Sequence, residues 1–191
     1  MPNIYSGHLG FALMPDNVTQ DKAAGLVRLI PSGSPDFKPS AHINLYHADL
    51  HKIPEEAVIK TINGIRSVLG KKLELGEIIK KGETELTWQI ANNEAIRLAH
   101  LYAIQAVGYF NPGSVNDRLK SETFTKEEEE NMRRFGFPQI DKQFRPAITL
   151  ARNKTGIRRS ITLYPHTAYI QQAVFAELTA DGDLREIIYP A

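Results

Sequence analysis

The chain has 191 residues, 42% of them hydrophobic and 24% charged, the make-up of a protein that folds around a core and not of a disordered or fibrous one. Its 23 basic residues against 22 acidic ones leave a formal charge of +1, which gives no reason to expect sequence-blind binding of long duplex nucleic acid. It holds no cysteine, so disulfides, thiolate nucleophiles and cysteine-based zinc sites are excluded together. Chemistry falls to histidines, carboxylates, hydroxyls and basic groups. The stretch from Met1 to His8 lacks the basic head and apolar run of a signal peptide, and no segment approaches the roughly 20 apolar residues that cross a bilayer. The expectation is a cytoplasmic protein without a membrane partner.

Residues 4–14 read as a strand closed by Pro15-Asp16, and Val18, Ala23, Leu26, Val27 and Ile30 then recur at helical spacing until Pro31 to Pro35 breaks the pattern. A second strand, Ala41 to Tyr46, precedes a helix that opens at Pro54-Glu55-Glu56, buries Val58, Ile62, Ile65 and Leu69, and stops at Gly70. Strands are expected within residues 73–91, followed by a helix from Asn93 to Val107 that is apolar almost all round and so packed on several sides. Residues 109–123 read as loop. Thr125-Lys126-Glu127-Glu128 is a capping box opening an acidic surface helix that ends near Arg134. A strand over Phe144 to Ala151, another over Ser160 to Tyr164, and a hairpin of Ala173–Thr179 and Leu184–Tyr189 turning at Asp181-Gly182 complete the chain. No low-complexity linker divides it, and residues 1–191 are read as one domain of two lobes.

Two segments echo each other: His42-Ile43-Asn44-Leu45 in the first half and Ala147-Ile148-Thr149-Leu150 in the second. Alternate side chains of a strand share a face, so His42 pairs with Asn44 and Ala147 with Thr149, while Ile43, Leu45, Ile148 and Leu150 turn towards a core. Packed about a pseudo-twofold axis, two such strands would line one cleft with small polar groups. A lone histidine on a mixed strand is ordinarily structural, and Thr149 alone is ordinarily just a strand former; the echo turns both readings towards function.

These segments resemble the two-histidine (2H) phosphoesterases, the family of the 2′-5′ RNA ligases and cyclic phosphodiesterases, whose signature is one His-x-Ser/Thr-x motif per lobe. Phe144-Arg145-Pro146-Ala147-Ile148-Thr149-Leu150-Ala151-Arg152 matches the second motif except at Ala147, where the family has histidine. The first strand, its helix, and the closing Ala176-Glu177-Leu178 through Gly182 to Ile188 follow the family's order, so the resemblance spans nearly the whole chain. It implies an α+β, bilobal fold in which two pseudo-symmetric lobes with antiparallel-rich sheets face a central cleft, helices outside. It also implies a phosphodiesterase without metal or other cofactor, acting on a nucleotide or short RNA end bearing a 2′,3′-cyclic phosphate, a 2′-5′ linkage or a cyclic or oligonucleotide signal. One imidazole takes a proton and the other gives one, and hydroxyls two residues on hold the phosphate oxygens.

The site residues carried over are His42 and position 147 for catalysis, with Asn44, Thr149, Arg152 and Tyr46 binding substrate. Asn44 stands where Ser or Thr is expected, and its amide still donates to a phosphate oxygen. Ala147 neither accepts nor donates a proton, so the chain is read as an inactivated His-to-Ala form of a hydrolase. The alternative is a catalytically silent nucleotide-binding protein of the same fold. Arg152 differs in parity from Thr149 and needs a twist to reach the phosphate, whereas Tyr46 shares the expected face of His42 and can stack on a base. His47 and His51 follow His42 closely, but a strand running into a loop does not place them on one face, so no metal site is expected. His166 could replace the lost imidazole only if its segment returned to the cleft; an exposed loop histidine is the plainer reading.

Overall fold

The structure, a computed structural model, describes residues 3–28, 41–81, 85–91, 94–121, 123–152 and 165–190. Its strands are β1 (Ile4–Pro15), β2 (Ile43–Pro54), β3 (Lys72–Lys81), β4 (Glu85–Ile90), β5 (Ala147–Arg152), β6 (His166–Leu178) and β7 (Leu184–Pro190). The helices are α1 (Asn17–Arg28), α2 (Glu55–Ile65), α3 (Glu94–Ile104), α4 (Val115–Ser121) and α5 (Lys126–Phe135), joined in places by single 3₁₀ turns. The strand expected over Ser160 to Tyr164 and the break at Pro31 to Pro35 lie outside the described residues.

The strands form one antiparallel sheet in the order β1-β2-β5-β4-β3-β6-β7, and β6 pairs with β1 as well, so the ladders close into a ring with β7 outside it. The two halves expected to face each other are thus continuous: the seams are Ile43 against Ile148 and the start of β6 against β3. Period-two patterning sorts the faces. Phe11, Leu13, Ile43, Leu45, Trp88, Ile148 and Leu150 are fully buried in one core, together with Ala23 and Leu26 of α1, Ile62 and Ile65 of α2, and Ile96 and Ala99 of α3. The opposite face carries Asn44, Thr87, Gln89, Ala147 and Thr149 around a cleft of about 670 Å³.

Several local expectations change. The second strand runs on to Pro54, because Tyr46 to Leu50 pair with Gly7 to Phe11 of β1 in a ladder that the polar residues of the segment hid. The helix α3 buries only Ile96, Ala99, His100 and Ala103, leaving Leu98 40% and Leu101 55% exposed, so its apolar girdle packs on one side. Residues 109–123 contain α4, too short and polar for periodicity to reveal. The capping box of α5 forms as read, with Thr125 Oγ1 accepting from the Glu128 N–H and Glu128 Oε2 accepting from the Thr125 N–H. That helix ends at Gly136, whose φ of 69° is the left-handed conformation that glycine adopts without strain.

Candidate functional site

The first motif is shaped by a bulge. In the β1–β2 ladder Phe11 faces Tyr46 while Ala12 faces Asn44, which leaves Leu45 as an extra residue of β2. Leu45 and Tyr46 therefore both enter the core, and the residues beyond them change face as far as the second register break, between Leu50 and Ile53. The buried His100 holds this distortion: its Nδ1–H donates to the Leu45 carbonyl at 2.6 Å, its Nε2 accepts from the Asp141 N–H at 3.3 Å, and its ring stacks on Phe144 at 3.9 Å. Burial lowers its pKa despite the Leu45 carbonyl, which favours the charged form.

Tyr46 does not share the face of His42. It is fully buried, its hydroxyl donates to the Phe135 carbonyl at 2.8 Å, and its ring meets Phe137, so the base-stacking role expected of it is not available. The bulge is the reason. His42 is 7% exposed, and its Nε2–H donates at 2.9 Å to the carbonyl of Gly182 in the β6–β7 turn. Asn44 Nδ2 donates to the same oxygen at 2.9 Å, while its buried Oδ1 has no partner among the described residues.

The second motif lies alongside the first. Ile43 pairs with Ile148 in antiparallel sense, so continuing that register sets Asn44 across from Ala147 and His42 across from Thr149. On the far side of β5, Gln89 faces Ala147 and Thr87 faces Thr149. The Thr149 hydroxyl donates to Glu85 Oε1 at 3.4 Å, which places a carboxylate beside an expected phosphate donor. Arg118 and Arg145 add positive charge to the cleft, and Glu128 and Asp181 add negative charge. Arg152 pairs with Glu85 through its backbone at the end of β5, and its side chain lies outside the described residues.

Among the other histidines, His166 sits away from Ala147. It stacks on Trp88, with Nε2 3.0 Å from Thr19 Oγ1 and Nδ1 accepting from Lys22 Nζ at 3.4 Å. His51 is exposed near the end of β2. His47 is the residue that sequence reasoning missed: the bulge carries it onto the cleft wall, where it is 6% exposed and 2.9 Å from His8. Only the count of residues across the bulge could have signalled it. Among the described residues no group of three or more His, Asp or Glu side chains is placed to hold a metal ion.

The chain has the fold of the LigT-like 2H phosphoesterases, the class its motifs resemble. TT0787 of Thermus thermophilus superposes with a TM-score of 0.56 at 18% identity over 96% of each chain. LigT of E. coli, in complex with NADP+, gives 0.53 at 14% identity over 98% of each chain, and the crystal structure of a phosphoesterase gives 0.50 at 11% over 97% of each. No protein-family model matches the sequence, and no curated protein does. At these identities the likeness defines the fold.

Proposed function

We propose that the cleft binds a nucleotide-type phosphoester and belongs to a metal-independent phosphodiesterase, with His42 and position 147 as the acid–base positions and Asn44 and Thr149 beside the phosphate. The observation that supports this is the pairing of Ile43 with Ile148, which sets the two motif strands side by side, with Asn44, Ala147 and Thr149 lining one cleft. The contact with the Gly182 carbonyl requires a proton on Nε2 of His42, which makes Nε2 the nitrogen from which an acid would give it. Two donors already converge on the Gly182 oxygen, the arrangement that a phosphate oxygen would receive if it displaced the turn. Asn44 Oδ1, buried and without a partner among the described residues, is an acceptor that a ligand hydroxyl or N–H would satisfy. The NADP+ held by LigT shows that a nucleotide fits this fold in another chain.

In this reading Ala147 leaves the chain with an impaired reaction. A second reading, a silent binder of nucleotide signals, is favoured by that methyl group and by the engagement of the Thr149 hydroxyl with Glu85. Ala147→His, assayed with chelator on 2′,3′-cyclic nucleotides, 2′-5′ dinucleotides and cyclic dinucleotides, separates the two. A positioned acid or base contributes roughly 10²–10⁴-fold, so kcat should rise by that order while affinity changes little. A variant that binds these ligands and turns over none of them supports the binder, and activity that requires metal contradicts the proposal.

A further inference from the structure

Among the described residues one imidazole lines the cleft, that of His47, while His42 is buried beside the Gly182 turn. The bulge at Leu45 brings its side chain to the wall that carries Asn44, and Gly10 on β1 makes room for it: a Cβ on Gly10 would lie 2.5 Å from His47 Cβ. The ring packs edge-on to Phe137, with 5.0 Å between ring centres, and its Nδ1 is 2.9 Å from Nε2 of His8, so one nitrogen edge is committed to a second histidine. The other edge points to the first motif. A Cβ built on Gly182 would stand 3.0 Å from His47 Nε2 and 2.6 Å from Asn44 Nδ2, so both flank the turn whose carbonyl takes the His42 proton.

We propose that His47 is an acid–base group of this cleft, with His8 behind it as its proton relay, in place of the imidazole that position 147 does not supply. The inference rests on the phosphodiesterase reading above. In hydrolysis of a 2′,3′-cyclic phosphate, a water oxygen bonds to phosphorus and His47 Nε2 takes its proton. The Nδ1–H of His47 passes to His8 Nε2, and the Nδ1–H of His8 leaves to solvent. The bond from phosphorus to one ribose oxygen breaks, and that oxygen takes its proton from a doubly protonated His42, leaving a monoester. His8 is partly buried, and burial, with Arg118 next in weight, lowers its pKa, so it is a neutral acceptor near pH 7. The charged groups acting on His8 are Arg118 of α4, Asp49 of β2, Arg185 of β7 and Asp181 of the β6–β7 turn, and Glu85, Glu128 and Arg145 share the cleft lining with His47.

The test uses the full chain with 2′,3′-cyclic nucleotides and chelator. The unmodified chain should turn over, His47→Gln should lower kcat by about 10²-fold with little change in affinity, and His8→Gln should move the inflection of the kcat/KM pH profile. His51→Gln, on an exposed histidine of the same strand, should leave rate and profile unchanged. To avoid dependence on how the variants fold, ¹⁵N-imidazole NMR of the unmodified chain titrated with a nucleoside 3′-monophosphate should show the His47 Nε2 resonance moving on binding. A folded His47→Gln at full rate overturns the inference, as does a still His47 resonance while the Thr149 amide moves. An inert parent beside an active Ala147→His overturns it too and leaves the broader reading standing. If Ala147→His is also inert and no nucleotide binds, both fall together.

Discussion

His100 does not line the cleft and still decides what the cleft contains, because its Nδ1–H occupies the carbonyl that the bulge frees. Its folded pKa is depressed by burial, so the unfolded chain, with histidine near 6.5, takes up the proton more readily. Stability is therefore full above about pH 6.5 and is lost as the pH falls below it, with partly buried His8 contributing in the same window. Thermal melts should show a lower Tm at pH 5 than at pH 7.5. His100→Leu should flatten that slope and cost about 1–3 kcal/mol at pH 7.5, the penalty of a buried carbonyl left without a donor. Glu85 is the opposite case, a residue whose removal should help. Its carboxylate takes the Thr149 hydroxyl and repels a phosphate at the same place. Glu85→Gln should tighten nucleotide binding by about 1 kcal/mol, roughly fivefold, as read by calorimetry; unchanged or weaker binding would place the phosphate elsewhere.

The widest departure from the expected elements lies in β2, and its cause is a contact from another element. Alternation puts Ile43 and Leu45 in the core and Asn44 on the cleft face, as the structure does, but it cannot count across an extra residue, so it sends Tyr46 to the wrong face and passes over His47. A bulge supported by a buried histidine from α3 is a tertiary event with no signature in the strand itself. Terminal chemistry is more legible, since caps act within a few residues: the Thr125 box stands in the sequence, and the helix it opens ends at Phe135, one residue past the end expected near Arg134, with Gly136 as its cap. Gly136 also places Phe137 against His47. At φ 69° an added Cβ would strain the backbone and come within 2.9 Å of Ala48 Cβ. Gly136→Ala should then lower stability by about 1–2 kcal/mol, seen as a reduced urea midpoint.

For the molecule as a whole, the α+β class is readable because the order of strands and helices, and the apolar residues between the polar ones of both motifs, stand in the sequence. Partner choice is not. Nothing in the run of residues from His166 tells that β6 begins there, pairs first with β3 and then with β1, and joins both halves into one ladder. Pairing of that kind depends on contacts between residues far apart in the chain, and only the closed sheet selects among the alternatives.

That closure sorts the backbone amides by how many neighbours share them. β1 is hydrogen-bonded on both sides, to β2 and to β6, whereas β7 has β6 alone among the described strands. Deuterium should accordingly enter β7 early, through fraying of an outer strand, and reach the middle of β1 only when the ring itself opens. Exchange followed by mass spectrometry would read this as a fast β7 peptide beside a slow one from Leu9 to Leu13. The same asymmetry leaves β7 as a margin where another chain could add a strand. Its two register breaks against β6 and its charged Arg185 and Glu186 make that margin a poor template, which guards the protein against sticking to itself.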